Sequence, residues 1–314
     1  MMDSTLKVLK VGLDLGASSI KVSYFNGECI KDFSFPNRVD SDIENGDGTL
    51  VVIGDEALRV GGVGGVSNAN PKKVNYKNLK HIMLYVTYRL KEELKFKEDG
   101  ILLDINTCLP PRQFKESKEE YKELISSLSS KGTVGKDTIE LKIKSVKVGA
   151  EGVVLLKSFN LDSIAEDMIK IMLLDVGSST TDIVLLEKLG STWKIKNAST
   201  SEAAGSSMCK DISKHLNATS KGDYKWDNLE LLGKYQLDQK VTPITEHADK
   251  IDATVKKLLS DIEKVGTFAE YMPVLAGQGS KLLSKNKLFN KSTSSIVVDS
   301  VNQQYGNSRG CLLA

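Results

Sequence analysis

Apolar positions along the chain fall into short runs and into stripes of helical period. Residues 8–15 are largely apolar, residues 20–25 alternate, and residues 29–35 follow the turn Asn26-Gly27. Runs of this length predict three successive strands, and Asn-Gly predicts a hairpin because both positions tolerate positive φ. Residues 36–75 break the pattern. They are rich in Gly, Asp and Asn, with one strand expected at 50–53 and the run Gly61-Gly62-Val63-Gly64-Gly65. No Gly-Lys-Ser/Thr follows that run, so it reads as a flexible surface insertion rather than a phosphate loop. Leu79, Ile82, Met83, Val86, Leu90 and Leu94 then recur at helical spacing, predicting an amphipathic helix over 79–96. A strand at 101–109 is stopped by Pro110-Pro111, a helix is expected over 116–128, and the alternation at 139–148 predicts a strand or hairpin arm.

The second half repeats the scheme. After a helix at about 161–169, strands are expected at 171–176, 183–187 and about 193–196, then a helix over 202–216. Residues 223–239 read as a small insertion with a short helix. Ile251, Val255, Leu258, Leu259 and Ile262 mark what should be the longest helix, over 244–265. Short buried strands at 272–276 and 296–298 precede a final helix. The chain therefore reads as two similar βββαβα units, each with an insertion: an α/β protein with two mixed sheets and a cleft between them.

Composition narrows the partners. A chain of 314 residues accommodates two ordinary domains. Its 43 basic and 41 acidic residues are interleaved and leave a net charge of +2, which argues against direct nucleic-acid binding. Cys29, Cys108, Cys209 and Cys311 are far apart with no C-x-x-C pair, which excludes a zinc knuckle or disulfide framework and suits a reducing cytoplasm. Lys7, Lys10 and Asp14 interrupt the N-terminal apolar run, so neither a signal peptide nor membrane association is expected. The ending Cys311-Leu312-Leu313-Ala314 fits a prenylation pattern, but no polybasic run precedes it, and a buried apolar terminus is expected instead.

The candidate chemistry lies in two stretches of one design. Val11-Gly12-Leu13-Asp14-Leu15-Gly16-Ala17-Ser18-Ser19-Ile20-Lys21 and Leu173-Leu174-Asp175-Val176-Gly177-Ser178-Ser179-Thr180-Thr181-Asp182 each run from apolar residues through Asp-x-Gly into small hydroxyl residues. One such turn is ordinary loop chemistry. Two copies in matching contexts point to a bound triphosphate. Gly16 and Gly177 let the backbone approach phosphate oxygens, while Ala17, Ser18, Ser19, Ser178, Ser179 and Thr180 complete the two phosphate loops. Lys21 adds a positive charge, and Asp14 and Asp175, at strand ends, suit Mg²⁺, which takes only one or two carboxylates. Gly277-Gln278-Gly279, at a strand-to-helix turn, offers a flat backbone against which a base and ribose could lie. His81, His215 and His247 lack metal-ligand spacing, and no G-x-S-x-G elbow is present.

These motifs resemble those of the actin, sugar-kinase and heat-shock-chaperone ATPase superfamily. The hairpins are similar to its phosphate-1 and phosphate-2 motifs, and Gly277-Gln278-Gly279 to its adenosine motif. Asp14 with Lys21, the run 175–182 and the ending Asn307-Ser308-Arg309-Gly310 resemble bacterial plasmid-segregation actins of the ParM type. The resemblance implies an actin-like fold: two ribonuclease-H-like βββαβα domains flanking a nucleotide cleft. Domain I would cover 1–148, with an insertion at about 36–75 and the helix 300–314 returning to it. Domain II would cover 149–299, with an insertion at about 203–245. It also implies an ATPase that binds Mg-ATP or Mg-GTP, polymerises with itself, and moves plasmid DNA through a DNA-binding adaptor. Glu151 matches the residue that positions the attacking water, although Ala150 stands where the family often has proline; Asp182 is the alternative carboxylate. A small-molecule kinase of the same superfamily and a membrane-associated cell-division or cell-shape filament protein are the rival readings. No acceptor-side carboxylate and no amphipathic anchor helix support them.

Overall fold

The computed structural model describes residues 8–68, 70, 72–96, 100–159, 168–220, 222–237, 240–298 and 300–314. The chain forms two compact units: Met1–Leu109, Gln113–Ala150 and Asn307–Ala314 make unit 1, and Pro110–Arg112 with Glu151–Gly306 make unit 2. Among the described residues no helix is long and apolar enough to cross a membrane.

Unit 1 opens with the antiparallel strands β1 (Val8–Leu15), β2 (Ser19–Phe25) and β3 (Ile30–Pro36). After the insertion, helix α1 (Leu79–Leu94) leads to β8 (Gly100–Leu109), parallel to β1. Helix α2 (Pro111–Ser126) starts with proline at its first position, where the missing N–H costs nothing, and kinks at Ser117. Next come β9 (Ser130–Val134) and the long β10 (Asp137–Ala150), which runs parallel to β8. Val11, Leu13 and Leu15 from β1, Ile101, Leu103 and Ile105 from β8, and Ile82, Met83 and Leu90 from α1 are fully buried in one core. Each contributes about 1.5–3 kcal/mol relative to exposure.

The insertion departs from expectation. In place of one strand and a flexible Gly-rich loop there are four strands: β4 (Arg38–Asp40), β5 (Gly48–Ile53), β6 (Glu56–Gly61) and β7 (Val66–Ser67). They extend the sheet to the order β3-β2-β1-β8-β10-β9-β5-β6-β4-β7. The Gly run is pinned, because the Asp47 carboxylate accepts from the amides of Val63 (2.7 Å) and Gly64 (3.3 Å).

Unit 2 repeats five strands of unit 1. β11 (Lys170–Val176), β12 (Thr181–Leu189) and β13 (Thr192–Ser201) are antiparallel, and β16 (Met272–Ala276) and β17 (Ile296–Val297) add in parallel. Its order, β13-β12-β11-β16-β17, matches β3-β2-β1-β8-β10 strand for strand. Between them lie α3 (Gly205–Thr219), α4 (Trp226–Leu232) and the two-stranded β14 (Lys234–Leu237) and β15 (Lys240–Pro243). The expected long helix over 244–265 is broken. Ile244–Ile251 is a 3₁₀ segment interrupted at His247 (φ −103°), and α5 (Asp252–Glu263) follows. Among the described residues the longest uninterrupted helix is instead α1, of 16 residues. The helix expected at about 161–169 lies largely outside the described residues, which omit 160–167. Two short helices, α6 (Ser280–Leu283) and α7 (Lys287–Ser292), precede the last, α8 (Ser300–Leu313).

The end of α8 is built into unit 1. Gly12 lets it lie on β1, since a Cβ there would sit 1.9 Å from the Ser308 carbonyl oxygen. Arg309 forks onto the Asp32 carboxylate of β3, its Nε 3.1 and 3.0 Å from the two oxygens. Ser308 meets Ser23 hydroxyl to hydroxyl at 2.7 Å, and Asn106 donates to the Cys311 carbonyl at 2.9 Å. The Asn307–Gly310 motif thus has a packing role, and Cys311 is buried.

Candidate functional site

In unit 1 the β1–β2 hairpin carries the first motif. Asp14 and Lys21 are cross-strand partners on either side of the tip. Gly16 must be glycine, because a Cβ would meet the Ser19 carbonyl oxygen at 2.6 Å. The tip is fastened from the side by Asn37, whose amide donates to the Gly16 carbonyl (2.9 Å) and whose backbone N–H donates to Ser18 (3.0 Å). Asn37 Oδ1 and Ser19 Oγ are buried polar atoms with no hydrogen-bond partner among the described residues. Such atoms cost free energy unless a ligand or water meets them. The Ser19 hydroxyl can donate to a phosphate oxygen, whereas Asn37 Oδ1 accepts only and calls for an N–H or O–H donor such as water.

Asp14 is only 4% exposed and does not stand alone. Its Oδ2 takes the Lys21 ammonium at 3.1 Å and its Oδ1 the Lys73 ammonium at 3.3 Å. Burial alone would push this carboxyl up; the Lys21 and Lys73 ammoniums outweigh it and hold it below the ordinary carboxylate range. Lys73, itself 5% exposed, also donates to the Cys108 carbonyl (3.4 Å) at the end of β8. Sequence reasoning missed Lys73 and Asn37. Each sits in a Gly- and Asn-rich stretch where lysines and asparagines are ordinarily solvated, and no spacing marks them.

In unit 2 the β11–β12 hairpin repeats the geometry with different chemistry. Its cross-strand partners at the matching positions are Asp175 and Asp182, both buried. Like charges directly opposite are destabilising by themselves. A divalent cation relieves that, so the pair fits Mg²⁺. Thr200 donates to Asp182 Oδ1 at 2.9 Å. At the tip, Gly177 N–H donates to the Thr180 carbonyl (2.9 Å). The carbonyls of Gly177 and Ser178 accept from Gly205 and Ser206 (2.9 Å each), satisfying the first amides of α3.

Gly277-Gln278-Gly279 packs directly on this hairpin. Gly279 N–H donates to the Val176 carbonyl (3.0 Å). Gly277 has φ +78°, and a Cβ there would lie 2.6 Å from Asp175 Oδ1. Beside this turn a pocket is lined by Gly177, Ser178, Gln278 and Gly279 together with Cys209, Glu230 and Ile244. The structure therefore brings the expected phosphate-2 and nucleoside stretches to one pocket within unit 2, and adds Cys209 and Glu230, which sequence reasoning had left in an insertion. Burial, with the Glu230 carboxylate nearby, pushes the Cys209 thiol up to about 12, so it is an inert lining group.

Glu151 is the first residue of the second part of unit 2 and is buried. The next residue, Gly152, has φ +69°, and its backbone lies against β12, where a Cβ would be 2.9 Å from Val184 Cγ2 and 3.6 Å from Asp182 Cβ. Glycine at 152 thus holds residue 151 close to the phosphate-2 hairpin.

No family model and no curated protein matches the chain. Solved structures do. An archaeal actin homolog, Ta0583, in complex with ADP aligns with a TM-score of 0.73 and 17% identity, over 97% of this chain and 98% of that one. The subunit of a 15-stranded ParM filament from Clostridium botulinum aligns at 0.70 and 17%, over 98% of each chain. Bacillus thuringiensis ParM with ATP aligns at 0.64 and 14%, again over 98% of each. With the repeated five-strand order and the paired hairpins, these alignments establish that the chain has the actin-like fold of ParM proteins and archaeal actin homologs.

Proposed function

We propose that the protein is a nucleotide-dependent, filament-forming actin-like ATPase that serves plasmid DNA segregation. The observation that carries this reading is the pair of hairpins with opposite chemistry, Asp14 facing Lys21 in one and Asp175 facing Asp182 in the other. A pocket lined in part by Gln278 and Gly279 adjoins the second. In this reading Gly277, Gln278 and Gly279 cradle the nucleoside of ATP or GTP. Gly177, Ser178, Ser179 and Thr180 of the second hairpin and Gly16, Ala17, Ser18, Ser19 and Lys21 of the first serve as phosphate-binding residues. Asp175, with Asp182 opposite it, would hold Mg²⁺, which when bound would supply charge neutralisation to the phosphates. Glu151 orients the attacking water or takes its proton. Neighbours of the same fold were solved with ADP, with ATP and as a filament, which supports nucleotide binding and self-assembly here. Assembly follows if subunit contacts favour the nucleotide-bound form, so that binding and polymerisation stabilise one another. The near-zero net charge agrees with a cytoplasmic protein that reaches DNA through an adaptor rather than by direct contact.

Sedimentation tests the reading. With Mg-ATP or Mg-GTP, or a slowly hydrolysed analogue, the protein should pellet as polymer visible by negative-stain electron microscopy, and without nucleotide it should remain in the supernatant. Equal sedimentation with and without nucleotide, or none in any condition, would refute it.

A further inference from the structure

Two exposed surfaces lie outside the nucleotide chemistry, and their properties are complementary. The first is the insertion of unit 1. Residues 38–67 contain six acidic residues and two basic ones. Both arginines turn onto the backbone: Arg38 donates to the Val63 and Gly65 carbonyls (2.9 and 3.1 Å), and Arg59 to those of Ile43 and Gly48 (3.0 and 3.1 Å). The groups left facing water are the carboxylates of Asp42, Glu44, Asp47, Asp55 and Glu56 and the side chains of Ile43 (44% exposed), Val63 (50%) and Val66 (76%). Val66 belongs to β7, the last strand at one edge of the sheet, and the turn before it is pinned by Asp47 through the Val63 and Gly64 amides. Three exposed aliphatic side chains on one small lobe exceed the scattered singles of an ordinary surface, and covering them is favourable.

The second surface is a groove in unit 2. It encloses about 300 Å³ and is lined largely by Met168, Ile169, Phe268, Tyr271, Met272 and Pro273. It lies where β11 and β16 begin, whereas the phosphate hairpin and Gly277-Gln278-Gly279 follow their other ends, so it is separate from the pocket beside Gly279. Thr293 and Ser294 close one side, and α7 packs there through the edge-on contact of Phe289 with Phe268, 5.8 Å between ring centroids. Residues 271–298 contain Lys281, Lys285, Lys287 and Lys291 and no acidic residue, and all four lysines are exposed. Lys287 and Lys291 stand four apart and share a face of α7.

We propose that this groove receives the acidic insertion of a second copy of the chain, with Val63 and Val66 in the groove and the surrounding carboxylates against the lysines of α7. The proposal rests on the self-assembly reading above and names a contact that builds the polymer. An apolar centre with a charged rim is the ordinary make-up of a protein interface, and opposite charges on the two rims decide which face meets which. The two faces are different patches of one chain. Each pairing therefore leaves one insertion and one groove unused, and addition continues head to tail instead of stopping at a two-fold dimer.

Two variants of the full chain test the pairing in Mg-ATP and Mg-GTP: Val63→Glu with Val66→Glu on the insertion, and Lys287→Glu with Lys291→Glu beside the groove. All four side chains are exposed and lie outside the nucleotide residues, so nucleotide affinity should be unchanged. Each variant alone should raise the critical concentration for pelleting about tenfold or more, as loss of interface anchors implies. Mixed one to one they should form a dimer by sedimentation equilibrium, because the first keeps an intact groove and the second an intact insertion. Should the glutamates unsettle β7, Val63→Ser with Val66→Ser removes the apolar tip and reads the same quantities. Folded variants that pellet as the wild type does, or a mixture that stays monomeric, would overturn the pairing while leaving nucleotide-dependent assembly in place. A lysine variant that assembles normally but no longer shifts a DNA duplex that the wild type shifts would overturn it in favour of a nucleic-acid surface. Wild-type protein that forms no polymer with either nucleotide would remove the functional reading itself, and this contact with it.

Discussion

The Tyr235 hydroxyl and His247 Nε2 are hydrogen-bonded at 2.6 Å, and the His215 ring lies 5.7 Å away, centroid to centroid. Burial, then the neighbouring His215, lowers the His247 value below its ordinary 6.5, outweighing the Asp249 and Glu246 carboxylates that favour the charged ring. The sign of the effect on stability follows. Above 6.5 the ring is neutral in folded and unfolded chains alike. As pH falls through that value the unfolded chain takes up a proton that the folded one resists, so stability declines until the folded value is passed. Urea midpoints should therefore drop between pH 7.5 and 5.5. His247→Gln, whose side chain does not titrate, should lose less over that range; equal losses in both proteins would contradict this account. At this scale the sequence yielded Asp14, Lys21 and the hairpin glycines, because their constraints are local: a turn, a strand end, a spacing. Lys73, Asn37 and Glu230 reach their sites through residues tens of positions away, and nothing in their own neighbourhoods distinguishes them from surface residues.

Among the elements, the clearest dependence is that of α8 on β1. A glycine in the middle of a buried strand is ordinarily a weakness, but Gly12 leaves the space that the helix backbone occupies. Gly12→Ala should destabilise the protein by about 3 kcal/mol or more, as overpacking against an immobile backbone carbonyl does, measured by urea denaturation with limited proteolysis reporting release of the C-terminus. A variant with wild-type stability would show that the helix moves aside freely. The same scale holds both sequence misreadings. β4 and β7 have three and two residues, too short for alternation to register, and exist because β6 and one another supply their hydrogen bonds. The helix over 244–265 was drawn too long because its apolar stripe continues across the break: Ile244, Ala248, Ile251, Val255 and Leu258 are all buried, although the backbone leaves α-helical geometry at His247. Periodicity reports which face is covered and not whether every residue beneath it is helical.

For the whole molecule, the two hairpins of like design differ in charge, with facing carboxylates in one and a carboxylate paired to two lysines in the other. Hydrolysis rests on Glu151. Glu151→Ala should leave nucleotide binding and polymer yield unchanged, slow phosphate release by about a hundredfold, and lengthen filament lifetime in turbidity traces after ATP is exhausted. Phosphate release at the wild-type rate would remove Glu151 from the reaction and direct attention to Asp182.

What the sequence determined by itself was the duplication. Two hairpins with the same spacing, each followed by helical stripes and apolar strands, specified an α/β protein of two like units before any coordinates, because alternation and helical period are imposed residue by residue on whatever must face a core. Tertiary structure decided the charges around each hairpin. Asp14 and Asp175 are the same letter in the same motif, and only folding carries Lys73 across 59 residues to the first, while Asp182 stands opposite the second. The affinity of a carboxylate depends on the groups within a few ångströms of it, and those are chosen by the fold rather than by the motif.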